Sequence, residues 1–69
     1  MCYWFERSGD YIRCEVRQVD GRFELTVVRP DGAETVEHYN DSDRLHCRQL
    51  VLERRFTESG WKGPHGRSI

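Results

Sequence analysis

Two stretches that alternate residue by residue, joined by Asp20-Gly21, restrict what this chain can fold into more than any other feature. In "YIRCEVRQ", residues 11–18, Ile12, Cys14 and Val16 fall on one side while Arg13, Glu15 and Arg17 fall on the other. "RFELTVVR", residues 22–29, repeats the pattern with Phe23, Leu25 and Val27 against Glu24, Thr26 and Val28. A period of two is that of a half-buried strand. The Asp-Gly pair supplies the positive φ that a two-residue hairpin turn needs. Such a turn pairs Val19 with Arg22, and so sets Val16 opposite Leu25, Cys14 opposite Val27 and Arg17 opposite Glu24. Turn chemistry and apolar pattern thus agree on one register.

A third strand is expected over residues 33–39, where the two signals disagree. Pro30-Asp31-Gly32 reads as a three-residue loop ending in a left-handed glycine, but that register turns Glu37 toward the face of Leu25 and leaves Val36 outside. A four-residue loop pairs Val27 with Val36 instead, and the apolar pattern favours it, with a bulge or strand end near His38 if Tyr39 is buried too. Residues 41–59 read as a helix, capped by Asn40 or Asp41, with Asp41 and Asp43 placed where the helix dipole favours negative charge. At about 100° per residue, Leu45, Gln49, Leu52 and Phe56 form one stripe. Gln49, the polar member, is expected to bond to nearby backbone. The expected fold class is α+β: an antiparallel three-stranded meander with one C-terminal helix packed on one face. Residues 1–7, "CYWFER" included, stay open as a fourth strand.

With 69 residues, a third of them charged, the chain has the size of a single small domain over residues 1–69. A domain of this length buries only about 60% of its unfolded surface, so self-association would supplement a small core. No apolar run approaches the roughly 20 residues of a membrane span, and no basic-then-apolar leader opens the sequence, so a cytoplasmic protein without membrane contact is expected. Cys2, Cys14 and Cys47 are odd in number and far apart, which fits a reducing compartment. Charge is divided: residues 1–43 hold five Arg against ten Asp and Glu, while residues 44–69 hold six Lys and Arg against two Glu. The halves are expected to attract each other within the fold or across a dimer.

The tail, residues 60–69, begins as a helix stop. Gly60 suits the left-handed position after the helix, Trp61 then falls against Phe56 as an aromatic lid, and Pro64 prevents resumption. His65, Gly66 and Arg67 are left without a role, as a free end or as a partner contact. "RCEVRQVDGRFELTVVRPDGAE", a capped helix and "SGWKGPHGR" together resemble a group of short bacterial proteins to which no activity is attached; the likeness implies bacterial origin and one domain, and carries no ligand or catalytic residue. The strands-then-helix order also echoes Whirly-type single-strand nucleic-acid-binding folds. An open sheet face carrying Glu15, Glu24 and Glu37 argues against that analogy.

No C-x-x-C or H-x-x-x-H spacing is present, and His46 and Cys47 point about 100° apart on a helix, so no metal or other cofactor is expected. A small sheet with one helix can hardly enclose a catalytic pocket, so the chain is read as no enzyme. The leading expectation is a non-enzymatic interaction module of unassigned pathway, a homodimer with room for a protein partner, using Tyr11, Arg13, Val28, Leu50, Val51 and Trp61. The alternative is a small nucleic-acid binder using Arg44, Arg48, Arg54, Arg55, Lys62 and Arg67. Of these, Arg44, Arg48 and Arg55 project within about 40° of one another on the helix.

Overall fold

The computed structural model describes residues 1–66. Five strands and one helix follow in the order β1 (Cys2–Arg7), β2 (Asp10–Val19), β3 (Arg22–Val28), β4 (Glu34–Tyr39), α1 (Ser42–Glu58) and β5 (Lys62–His65). They form one antiparallel sheet, ordered β4-β3-β2-β1-β5, in an α+β fold. Two more strands are present than the three-stranded expectation.

The central hairpin has the expected register, with Val16 opposite Leu25, Cys14 opposite Val27 and Arg17 opposite Glu24. Asp20 and Gly21 both take positive φ, as a two-residue turn between right-twisted strands requires. Residues 2–7 do form a fourth strand, paired with β2. "CYWFER" alternates like its neighbours, placing Tyr3 and Phe5 at 1% exposure while Trp4 and Glu6 face the other way.

The β3–β4 register departs from the expectation. Val28 pairs with Glu34, Val27 with Thr35, Thr26 with Val36 and Leu25 with Glu37. This is the three-residue loop: the Arg29 N–H donates to the Ala33 carbonyl at 2.9 Å, the Gly32 N–H donates to the Arg29 carbonyl at 2.9 Å, and Asp31 accepts from the Ala33 N–H at 2.9 Å. Local turn bonds therefore prevail over the apolar pattern. Glu37 faces the helix and Val36 is half exposed on the opposite side, with no bulge in the strand.

The helix starts at Asp41, whose side chain accepts from the Arg44 N–H at 2.7 Å. Leu45, Leu52 and Phe56 pack on Tyr3, Phe5, Ile12, Cys14, Leu25 and Val27, and Gln49 is buried with them. The Gln49 Nε2 donates to the Tyr3 hydroxyl at 3.0 Å, so a side chain partners it, not the backbone that was expected. After the helix the Trp61 N–H donates to the Phe56 carbonyl at 2.9 Å and the Gly60 N–H to the Thr57 carbonyl at 3.1 Å, with Gly60 at φ +90°. Those two bonds are the Schellman pair. They turn Trp61 into the core, and Arg7 fixes it from the other side with its guanidinium 4.4 Å from the indole and a 2.9 Å bond to the Ser59 carbonyl. The chain then runs back along β1 as β5, so residues 62–65 are a strand and not part of a tail. Gly63 permits it: a Cβ there would meet the Trp4 carbonyl oxygen at 2.8 Å and the Phe5 ring at 3.0 Å.

Candidate functional site on the open sheet face

All packing onto the helix uses one face of the sheet, so the other is free to carry whatever the side chains can bind. Register places His65, Trp4, Arg13, Val28 and Glu34 in a single row across all five strands. Beside it runs Lys62, Glu6 and Tyr11, and on the other side Cys2, Glu15, Thr26 and Val36. Trp4, Tyr11 and Val36 are 39%, 55% and 50% exposed. Trp4 lies with its ring centroid 6.1 Å from that of His65, and a Cβ on Gly66 would fall 2.1 Å from the indole, so the end of β5 closes on the ring's flank. An open groove runs over Trp4, Tyr11, Arg13 and Val28 toward Pro30, with Glu6 and Asp10 on its margin.

Charges of both signs interleave on this face. Arg17 pairs with Glu24 at 3.1 Å, His38 lies 3.4 Å from the same carboxylate, and Arg13 stands 4.0 Å from Glu15. Glu37, expected here beside Glu15 and Glu24, is on the helix side. There Arg48 donates to both of its oxygens at 2.9 and 3.1 Å, and the Tyr39 hydroxyl donates to it as well. The Arg48 hydrogen bonds hold the Glu37 carboxyl below its ordinary pKa against a smaller opposing effect of burial. Burial, then the bond to Glu37, pushes the Tyr39 phenol above its usual value. The Arg48 guanidinium is held further toward its charged form by the same carboxylate.

The residues expected to act at an interface separate into three places. Tyr11, Arg13 and Val28 come together in the groove. Leu50 and Val51 are exposed on the outer side of the helix, away from the sheet, and Trp61 is a core residue at 8% exposure, so it offers no contact surface. The basic set is also divided. Arg48 is engaged by Glu37, Arg44 stands 3.6 Å from Asp41, and Arg54 and Arg55 are exposed on the helix about 100° apart. Lys62 lies on β5 opposite Glu6, and Arg67 lies outside the described residues. Trp4 is the groove residue missing from the sequence-based set. The alternation of "CYWFER" held the signal, with Trp4 and Glu6 opposed to Tyr3 and Phe5.

Among the described residues, no group of three or more His, Cys, Asp or Glu side chains is placed to hold a metal ion. No helix is long and apolar enough to cross a membrane. Compared with known proteins, the chain matches no family model, no curated protein and no solved structure.

Proposed function

We propose that this protein is a non-enzymatic interaction module that associates with itself and offers the open face of its sheet to a protein partner. The observation that carries this reading is the gathering of exposed Trp4, Tyr11 and Arg13 with half-buried Val28 along one open groove, opposite a face already filled by the helix. Tryptophan, tyrosine and arginine are the residue types that dominate binding energy at protein interfaces, because each combines a broad apolar area with a polar tip. Interleaved carboxylates favour a protein over a nucleic acid: a phosphate backbone laid on this face would meet Glu6, Glu15, Glu24 and Glu34. The groove is a shallow surface, suited to a partner's side chains. Leu50 and Val51 are the scattered exposed apolar residues normal for any small domain.

Sedimentation equilibrium at micromolar concentrations, paired with amide NMR spectra across the same dilution series, tests the reading. Concentration-dependent mass is expected, with shift changes in sheet residues and none at Leu50 or Val51. A strictly monomeric protein, or shifts centred on the outer helix, refutes it. Titration with labelled oligonucleotides at two salt concentrations adds a second arm. Tight, salt-sensitive binding there would replace the protein partner with a nucleic acid.

A further inference from the structure

We propose that self-association joins two copies edge to edge through β4, antiparallel across a twofold axis at Val36. The inference rests on the self-association reading above and specifies its surface. It begins with the two edges of the sheet, which differ. The β5 edge is four residues long, contains Gly63 and Pro64, and shifts register against β1, all features that blunt an edge. The β4 edge is longer and unbroken, and its inward charge, Glu37, is paired with Arg48. Its six residues include no proline or glycine and keep an unbroken register with β3.

The direction of its free backbone groups follows from the loop. Opposed residues in an antiparallel pair alternate between exchanging hydrogen bonds and not doing so. Arg29 and Ala33 are a bonded pair. Counting along the register, Thr35, Glu37 and Tyr39 direct their N–H and C=O groups inward to β3. Glu34, Val36 and His38 direct theirs outward, and these are the groups a second strand would bond.

Only registers that oppose outward residue to outward residue satisfy both edges, and the one centred on Val36 uses all three. It sets Val36 against Val36 of the second copy, and Glu34 against the second copy's His38 on both sides of the axis. Opposed residues share a sheet face, so half-exposed Val36 gains an apolar neighbour and each Glu34 gains an imidazole. His38 already lies 3.4 Å from Glu24, and Glu34 of the second copy would give it a carboxylate on its other side. Sliding the register by two residues either way puts Val36 opposite a polar side chain and leaves an outward residue without a β4 partner. A twofold of this kind stands perpendicular to the sheet. Both helices therefore lie on one side, and both open faces, with their Trp4–Tyr11 grooves, lie on the other as one continuous surface.

Cross-linking in a Cys2→Ser, Cys47→Ser background tests the register. Opposed Cα atoms in a bonded antiparallel pair lie about 5.5 Å apart, within disulfide reach. Val36→Cys is expected to form a covalent dimer under mild oxidation, while His38→Cys, which faces residue 34 of the second copy, is not. Glu34→Lys is expected to weaken sedimentation-measured association about tenfold, since on both sides of the axis the carboxylate facing the second copy's imidazole is replaced by an ammonium that cannot accept a hydrogen bond from it. Circular dichroism confirms that each variant folds. If the protein dimerises but Val36→Cys links no faster than His38→Cys, the β4 interface falls and the self-association reading stands. Monomers throughout overturn both.

Discussion

The Tyr3–Gln49 hydrogen bond joins the helix to the sheet through polar groups inside the core, and a double-mutant cycle on it gives a sharp prediction. Tyr3 is 1% exposed and Gln49 8%, so neither group can turn to water if the other is removed. Tyr3→Phe removes the acceptor of the Gln49 amide and is expected to cost about 2 kcal/mol, the usual penalty for stranding a buried neutral donor. Gln49→Leu removes the donor from Tyr3 and is expected to cost about 1 kcal/mol, since leucine suits the stripe formed by Leu45, Leu52 and Phe56. The double variant replaces both polar groups with apolar ones of similar shape. It should lie within about 1 kcal/mol of the parent, which leaves a coupling of roughly 2 kcal/mol. A domain of this length has a total stability on the order of 3–10 kcal/mol, so the single changes are large fractions of it. Urea unfolding followed by tryptophan fluorescence and by far-ultraviolet circular dichroism reads them as midpoint shifts of about 1 M or more. Thermal unfolding reads them as about 4–8 °C per kcal/mol. Single effects that simply add in the double variant, to within about 0.3 kcal/mol, would refute the claim that this bond couples helix to sheet.

Two other perturbations probe features found only in the structure. Glu37→Gln is expected to lower stability by about 1 kcal/mol at neutral pH, a modest value because both partners of the Arg48 pair keep partial water contact. The Glu37 pKa is depressed when folded, so the contribution is present above the ordinary carboxylate range and disappears as pH falls through the folded value; a parent–variant gap in urea midpoint that does not close in acid contradicts the assignment. Gly63→Ala is expected to push β5 off β1, because the added methyl meets the Trp4 carbonyl at 2.8 Å and the backbone sits at φ +145°. The expected loss is about 2 kcal/mol, with faster hydrogen exchange at the Trp4 and Glu6 amides, and unchanged exchange there would show that β5 adds no protection.

What the sequence disclosed depended on whether two physical signals coincided. At Asp20-Gly21 the turn and the alternation required the same register, and the β2–β3 hairpin has it. At residues 56–61 the left-handed glycine and the following tryptophan both required a Schellman stop, and both bonds are present. β5 was illegible because "KGPH" has neither apolar alternation nor strand-forming residues. It is a strand only because Gly63 lets the chain approach β1, and that requirement appears once β1 is in place. The site was half legible for a similar reason. Tyr11, Arg13 and Val28 follow from alternation within strands already assigned, whereas Trp4 needed the first strand to be counted.

The β3–β4 loop shows how such a conflict is decided and what it leaves behind. A three-residue loop satisfies the backbone groups of Arg29, Gly32 and Ala33 locally, and it fixes every residue downstream by parity. Two apparent faults result, an inward carboxylate and an outward valine. The first is relieved by Arg48, which reaches Glu37 with two bonds and at the same time removes the middle residue of the basic stripe from any phosphate. The second has no such relief within one copy of the chain, where Val36 stays half exposed and its own backbone groups point outward. Both peculiarities thus arise from one turn, and they bear on function in opposite ways: one weakens the case for a nucleic-acid partner, the other places an apolar side chain at the centre of an edge that a second copy can match.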